Sequence, residues 1–497
     1  MGNLAAGAAG LAAVPAGLTP DILAVEAQAR DADRELVERA LAVVRRFIVA
    51  RKLLLYGGLG LDYALRLKHS RIYPDEERPD FDMLSARSVD DAYDLAEELA
   101  ELGFPKAEAI RAMHVQTVRV RVNFTAVADL SYAPPAVLSC IPRISYGLGE
   151  GGAVDIIDPH WQFMDQHQAF CFPYRDPPRE PVFHRFGKDL RRFNILLEHY
   201  PLAAPAGYAP PAARAATTFP LLAGCALHGV GAYHLLLLML EEVKGGAPAP
   251  QTARGRDDGV FEITFPCPPG TPFTVATTGD PGELMAKLGY AATERFRPLM
   301  DLAPCIVVGR NKDKKSAYPQ AIYVYSHPGR LVAATHINNG VRVVSPQYLL
   351  MHFLLGYNAT LHGIDTAFQT MHHGADYFLW HYLDVLRAIN AGQEAMASTD
   401  FPPALNETER FALINATPFS LTTQFIGDLN IGASQLVTIA ADAQSTLQAP
   451  ASAAVRELLP SPEELKMLPA RRYTPGGVRP VFDYNATAWF RQDGGAE

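Results

Sequence analysis

Residues 53–67, Leu53-Leu54-Leu55-Tyr56-Gly57-Gly58-Leu59-Gly60-Leu61-Asp62-Tyr63-Ala64-Leu65-Arg66-Leu67, read as a strand, a glycine turn and a helix in direct succession. The apolar run at 53–56 suits a short buried strand, the glycine pair marks the turn, and Leu59, Ala64, Leu65 and Leu67 continue as a helix. Upstream, Leu36, Leu41, Val44, Phe47 and Ile48 recur at the spacing of an amphipathic helix over 31–52. Downstream, 80–84 alternates as a strand, and Ser88, three residues before Asp91, predicts a capped helix start. Val118, Val120, Val122 and Phe124 alternate with Arg119, Arg121 and Asn123, the pattern of a half-buried strand. A further strand over 126–132 carries Asp129. Strands interleaved with helices place the first half in the α/β (α+β) class.

The chain has 497 residues, enough for about three domains and a large core. Its formal net charge of -9 excludes a globally basic nucleic-acid packaging protein, but not one that gathers cations in a single groove. Cys140, Cys171, Cys225, Cys267 and Cys305 are odd in number and scattered without a CxxC pair, so they read as reduced thiols. In such a compartment glycosylation sequons such as those at Asn123 and Asn406 carry no meaning. The N-terminus lacks the basic region of a signal peptide, and Ala6 stands where myristoylation wants Ser or Thr. The longest apolar stretch, 219–240, contains His228, His234 and several glycines, so it is expected to be a buried core helix rather than a membrane span. A soluble intracellular protein follows.

Composition also suggests how the chain divides. Residues 1–20 are Ala, Gly and Pro without a charge pattern, and are expected to be disordered. Pro/Ala/Gly-rich stretches at 203–217 and 245–259 interrupt the regular pattern, the first being the better boundary. A third, 449–454, falls within a mostly helical tail. The expected division is an N-terminal segment and helix (1–48), a first domain (49–202) and a C-terminal domain with the tail (203–497). One internal echo stands out. Leu55-Tyr56-Gly57-Gly58 resembles Leu227-His228-Gly229-Val230, and Ile157-Asp158-Pro159-His160-Trp161 resembles Val344-Ser345-Pro346-Gln347-Tyr348, in the same order and at similar separations. Two copies of one fold would produce it.

The first half carries the chemistry. Side chains at i and i+2 of a strand share a face, so Asp80 and Asp82 converge. Paired carboxylates repel unless a cation sits between them, and hard divalent ions favour such oxygen ligands together with substrate phosphates. Asp129, on a later strand, supplies a third carboxylate and completes a two-metal site. Gly57 and Gly58 let the backbone approach a triphosphate at a helix N-terminus. The plainer reading makes the glycines a loop feature and Asp129 a strand-end cap. Asp is a poor strand former, however, so the Asp80-x-Asp82 pair is the feature that this reading explains least well.

Gly-Gly, then Asp-x-Asp, then Asp resembles the motif order of polymerase-beta-like nucleotidyltransferases. The fuller wording, YGGLGLDYALRL, IYPDEERPDFDMLS, VADLSY and IIDPHWQFMD, covers about residues 50–200 and is similar to the poly(A) polymerase catalytic subunit of poxviruses and related giant DNA viruses. The resemblance implies a nucleotidyltransferase domain followed by a degenerate second copy. It places the metal ligands on Asp80, Asp82 and Asp129 and the triphosphate turn on Gly57 and Gly58. It also explains the long gap holding Tyr73-Pro74. Ordinary superfamily members often have Gly-Ser at the turn, and Gly58 removes that hydroxyl. The implied activity is template-independent addition of AMP from ATP to RNA 3′ ends, with release of pyrophosphate and with two Mg²⁺ or Mn²⁺ ions. A homodimer or a helper subunit, and a cytoplasmic or virion location, are implied in the same way. From residues alone, another nucleotidyltransferase or a non-catalytic RNA-binding scaffold remains open.

Two basic segments are candidates for contact with nucleic acid. Arg185-Phe186-Gly187-Lys188-Asp189-Leu190-Arg191-Arg192-Phe193 carries four cations and one carboxylate, and at helical spacing Arg185, Lys188 and Arg192 share a face. Lys188 and Arg191 are expected at the nucleotide and Arg185 and Arg192 at RNA, with Phe186 or Phe193 stacking a base. A solvated helix face with its aromatics in the core is the alternative. Arg310-Asn311-Lys312-Asp313-Lys314-Lys315 reads first as a polar loop and only second as an RNA contact. His372-His373-x-x-Asp376 is expected to pack on a helix rather than bind metal. In the echoed half, the counterpart of the paired aspartates is expected in 261–265, where only Glu262 remains, so that copy should be catalytically dead.

Overall fold

The computed structural model describes residues 20–74, 77, 79–112, 117–149, 152–171, 183–202, 207–223, 225–243, 252–277, 279–296, 305–326, 334–337, 341–344, 346–364, 366–371, 373–397 and 469–484. Side chains at 20–32, 168–171, 183–190, 239–243, 252–253, 305, 334–337, 341–342, 346–348, 386 and 388–397 lie outside that description. Helix α1 (Pro20–Arg51) leads into β1 (Leu54–Tyr56), and α2 (Gly57–Arg66) follows with no intervening loop. Then come β2 (Phe81–Ser85), α3 (Ser88–Glu101), β3 (Glu108–Arg111), β4 (Thr117–Val122) and β5 (Thr125–Tyr132). Next are α4 (Pro135–Cys140), β6 (Arg143–Gly147), β7 (Ala153–Ile157), α5 (Pro159–Cys171) and α6 (Phe183–His199). β1 lies inside the sheet, antiparallel to β2 and parallel to β7, and β2 runs parallel to β5.

Alternation along β1 decides which core each residue enters. Leu55 joins Leu41, Val44, Phe47 and Ile48 of α1, together with Met83, Leu130 and Ile156. Its neighbour Leu54 faces the other way, toward Leu61, Leu65, Trp161 and Phe163, in a core that continues into the second half of the chain. A sheet covered on both faces needs such continuous apolar runs, so the unbroken Leu53-Leu54-Leu55 is explained.

The second half repeats the plan. Its elements are β8 (Ala215–Leu222), β9 (Cys225–His228), α7 (Gly229–Val243), β10 (Thr252–Gly255), β11 (Val260–Cys267), β12 (Phe273–Thr277), α8 (Pro281–Lys287) and β13 (Tyr290–Phe296). They continue with β14 (Cys305–Asn311), β15 (Ala321–Ser326), β16 (Ala334–Ile337), β17 (Val341–Val344), α9 (Pro346–Leu361), α10 (Ala367–Thr370) and α11 (Ala375–Ala397). The main sheet runs β13-β14-β15-β12-β9-β17-β16, while β10-β11-β8 form a separate three-stranded sheet. β9 is antiparallel to β12 and parallel to β17, and β12 is parallel to β15. These are the relations of β1 to β2 and β7 and of β2 to β5. The internal echo is therefore a repeated topology. Most of the described side chains in 219–238 are buried, as expected, but the stretch is not one helix. Pro220 lies within β8, and Gly229 at φ +61 turns the chain from β9 into α7.

A C-terminal strand, β18 (Arg472–Tyr473), returns to the first sheet and gives the order β18-β3-β4-β5-β2-β1-β7-β6. The Tyr484 hydroxyl accepts the amides of Val89 and Asp90 at 3.0 and 3.2 Å, and so caps α3. The expectation that Ser88 is the cap is corrected. Ser88 lies within the first turn of α3, its buried hydroxyl has no partner among the described residues, and the cap comes from nearly 400 positions further on. Among the described residues no helix is long and apolar enough to cross a membrane. Of the disorder expected at 1–20, Pro20 opens α1 and the rest lies outside the described residues, as does the expected helical tail around 449–454.

Candidate active site

The turn after β1 is built around Gly57. Its φ of +65 falls in the left-handed region, and a Cβ there would lie 2.8 Å from Cγ of Asp82 and 2.9 Å from its Cβ. The carboxylate of Asp82 is therefore packed against bare backbone at the start of α2. Register does the rest. Asp82 pairs with Tyr56 on one side and with Asp129 on the other, and Asp80 lies two residues before Asp82. Asp80 and Asp82 are half-buried and Asp129 is buried. Asp82 and Asp129 thus lie on two adjacent parallel strands at the mouth of the glycine turn, while Asp80, expected on the strand, stands just before it, since β2 begins at Phe81.

A cation already faces them. Arg119, opposite Asp129 in the β4–β5 register, donates from Nε to Oδ1 at 2.8 Å and from Nη2 to Oδ2 at 2.6 Å. That hydrogen-bonded pair raises the guanidinium pKa above its ordinary value, against the effect of burial, and the charges of Asp129, Asp80 and Asp82 reinforce it. Among the described residues no group of three or more His, Cys, Asp or Glu side chains is gathered so as to hold a metal ion. The donor set nonetheless fits hard divalent ions: it is all carboxylate oxygen, and it already attracts a cation. Beneath it, the Tyr56 hydroxyl is bonded to Ser131 at 2.8 Å, and Ser131 to Thr117 at 2.6 Å. Burial, and then the charge of Asp82, push the Tyr56 pKa up, so this chain of hydroxyls stays neutral.

A second group covers Gly58. Asp62, buried on α2, accepts the amides of Ile72 and Tyr73 at 2.8 and 3.0 Å and pairs with Arg66 at 2.5 Å. The loop after α2 is thereby tied down, and the Tyr73 hydroxyl meets Nη2 of Arg192 from α6 in a hydrogen bond directly over Gly58. Arg192, expected at RNA, thus lies at the glycine turn. Arg191, its neighbour, is exposed, while the side chains of Arg185, Phe186 and Lys188 lie outside the described residues. Phe193 cannot stack a base, because it is buried against Phe163 with ring centroids 4.3 Å apart. Sequence reasoning missed Arg119, Asp62 and the placement of Tyr73. The signal for Arg119 was its position in an alternating strand, but its partner is fixed only by cross-strand register.

The remaining candidates are structural. His373 stacks on Tyr377 with centroids 3.7 Å apart, and Asp376 accepts the Gly207 amide at 3.0 Å; His372 lies outside the described residues. Residues 312–320 form the β14–β15 hairpin connection, with Lys312, Lys314 and Lys315 exposed and Asp313 accepting the Lys315 amide at 2.8 Å.

In the second half the same register positions hold different chemistry. Thr274 pairs with His228 as Asp82 does with Tyr56, Tyr323 pairs with Thr274 as Asp129 does with Asp82, and Val308 faces Tyr323 as Arg119 faces Asp129. Pro272 takes the place of Asp80. The expected remnant Glu262 is elsewhere: it lies on β11 of the three-stranded sheet, where its carboxylate accepts from Tyr318 and from Arg256. The hairpin formed by β10 and β11, inserted between α7 and β12, shifts the numbering and hides the true counterpart. Thr274 and His352 fill the space beside Gly229, His352 is hydrogen-bonded to Tyr325 at 2.7 Å, and burial pushes the His352 pKa down to about 3, so it is neutral.

A family model described as poly(A) polymerase catalytic subunit matches residues 42–176. A curated protein of African swine fever virus (isolate Tick/Malawi/Lil 20-1/1983), assigned to the same subunit, is 38% identical over 415 residues, covering 80% of this chain and 80% of that protein. A counterpart from Acanthamoeba polyphaga mimivirus is 27% identical over 164 residues, covering 33% and 26%. Among solved structures, the crystal structure of the Megavirus polyadenylate synthase matches with a TM-score of 0.50 at 16% identity, covering 76% of this chain and 74% of the other. At that identity the likeness shows a shared nucleotidyltransferase fold.

Proposed function

The chain belongs to the poly(A) polymerase catalytic subunit family, and on that premise we propose that it adds AMP from ATP to RNA 3′ ends at the site of Asp80, Asp82 and Asp129. The observation that carries this reading is the juxtaposition of in-register Asp82 and Asp129 with the Gly57 turn at the N-terminus of α2. The RNA 3′-oxygen forms a bond to the α-phosphorus, the bond from that phosphorus to the bridging oxygen breaks, and pyrophosphate leaves. Two Mg²⁺ or Mn²⁺ ions held by Asp80, Asp82 and Asp129 would neutralise phosphate charge and make the 3′-hydroxyl easier to deprotonate.

The chain's own residues do the rest. Gly57 removes the side chain that would push Asp82 away from the turn. The first amides of α2 point at phosphate oxygens, which the helix N-terminus favours by dipole and by unpaired donors. Lys188 and Arg191 serve the nucleotide and Arg185 serves RNA, so the cations of this segment balance an anionic substrate in a chain of net charge -9. We assign residues 49–202 to the catalytic domain and 203–497 to the degenerate copy and tail, with 469–484 docked back on the first sheet. A second copy of the chain or a helper subunit extends the RNA track, and the enzyme works in the cytoplasm or virion.

The test is extension of a short RNA by the purified chain, with each nucleotide in turn and with Mg²⁺ or Mn²⁺. Asp80→Asn removes one charge at nearly constant shape, and more than about a hundredfold of the rate should go with it. Near-normal extension by a folded Asp80→Asn chain would sink the assignment.

A further inference from the structure

Gly57 and Gly58 are both glycines, but for different reasons. Gly57 needs the left-handed backbone; Gly58 does not, since its φ lies outside that region. What excludes a side chain at 58 is its surroundings. A Cβ there would run into the Tyr73 hydroxyl and would lie 2.8 Å from Nη2 of Arg192. The hydroxyl of a loop tyrosine thus occupies the place that a side chain at position 58 would take.

Its placement is fixed independently of any ligand. The buried carboxylate of Asp62 holds the amides of Ile72 and Tyr73, and Arg66, paired with Asp62, also donates to the Tyr73 carbonyl at 3.3 Å. Arg192 donates to the phenol oxygen, which leaves the phenol's own proton to be given to an acceptor. Burial keeps that proton on. The pull of Arg192 opposes it, and the charges of Asp82, Glu77 and Asp80 support it. A neutral hydroxyl and a guanidinium, side by side at the first turn of a helix, suit a phosphate oxygen.

We propose that the Tyr73 hydroxyl, held in place by Arg192, is the phosphate-binding hydroxyl of the glycine turn, delivered from a loop because position 58 carries none. The proposal rests on the reading of the glycine turn as the triphosphate site. It predicts a pattern of compensation between two positions that loop stabilisation alone would not give.

The experiment measures equilibrium binding of Mg·ATP to the full chain as wild type, Tyr73→Phe, Gly58→Ser and the double variant, with thermal unfolding of each. Tyr73→Phe should weaken ATP by roughly ten- to a hundredfold, the range for one hydrogen bond to a charged group, with an unchanged unfolding midpoint. Gly58→Ser should also weaken it, because the new Cβ displaces the phenol and the tip of Arg192. The double variant should bind better than Gly58→Ser alone, since a serine hydroxyl then stands where the phenol oxygen was. Unchanged binding by Tyr73→Phe, or losses that simply add in the double variant, would overturn the proposal. A wild-type chain that fails to bind Mg·ATP would instead overturn the site reading beneath it.

Discussion

The two large sheets have the same strand relations, and each turns from its central strand into a helix through a glycine at positive φ, +65 at Gly57 and +61 at Gly229. Around the first turn stand Asp80, Asp82, Asp129 and Arg119; around the second, Pro272, Thr274, Tyr323 and Val308. The second turn is closed as well as uncharged. His228, Thr274, Tyr325 and His352 are each less than 5% exposed, and a Cβ on Gly229 would lie 3.0 Å from the Thr274 hydroxyl. The glycine therefore survives where the carboxylates do not. Packing of the strand-to-helix turn requires it in both halves, whereas only chemistry requires carboxylates that repel one another.

The largest effect should separate the halves outright. Asp82→Asn should lower AMP addition by more than about a hundredfold. Thr274→Val, at the matching register position, should leave the rate unchanged and keep or raise the unfolding midpoint, because the buried Thr274 hydroxyl has no hydrogen-bond partner among the described residues. Comparable rate losses from the two variants would mean that the second turn takes part in the reaction.

The glycines sharpen the same contrast. Gly57→Ala and Gly229→Ala each force a Cβ into the left-handed region, at about 1–2 kcal/mol. Both should therefore lower stability in denaturant melts, while only Gly57→Ala, whose Cβ meets the Asp82 carboxylate, should cut nucleotide addition by about tenfold or more. Equal rates from the two would show that the position of Asp82 is not set by the turn.

Much of the first half is legible in sequence because each of its signals is local. The run at 53–58 gives strand, turn and helix, and the alternation at 80–84 gives β2, which begins at Phe81. Arg119 and Tyr73 were not legible, since one acts through cross-strand register and the other through a loop pinned by Asp62. The same limit explains the error at Glu262. Similar strands at similar spacing invited a match, and the β10–β11 hairpin that spoils it becomes visible only when strands are paired. Tyr484 capping α3 is the extreme case, a contact across almost the whole chain.

A smaller effect concerns the junction of the halves. Asp158, just before α5, accepts the amide of His160 at 2.9 Å and lies 3.7 Å from His160 Nδ1 and 3.4 Å from Nε2 of His362, just after α9. Burial raises the Asp158 pKa, but the neighbouring His160 and His362 rings and the His160 amide outweigh it, and its net value falls below the ordinary 3.8. The nearby Asp158 carboxylate raises His160 above 6.5, against burial. A raised histidine stabilises fully below 6.5 and loses that contribution as pH rises through its folded value. A depressed carboxylate contributes above 3.8 and loses it only in stronger acid. Buried His167, His234, His352 and His381, whose pKa values are pushed down, act in the opposite direction in both chains. The junction is therefore read from the difference: the midpoint of wild type relative to Asp158→Asn should fall between about pH 6 and pH 8. Parallel curves would remove the junction from the account. The smallest change is expected from Glu262→Gln, which keeps an acceptor for Tyr318 and Arg256; a rate within about twofold of wild type fits its place on the three-stranded sheet.

The stoichiometry of Mn·ATP binding to the full-length chain tests most directly whether the molecule has one working site and one filled one. One equivalent per chain is predicted. Asp82→Asn together with Asp129→Asn should abolish it, and Thr274→Val together with His352→Leu should leave it intact. Two equivalents in the wild type, or one equivalent that survives loss of both aspartates, would contradict the account.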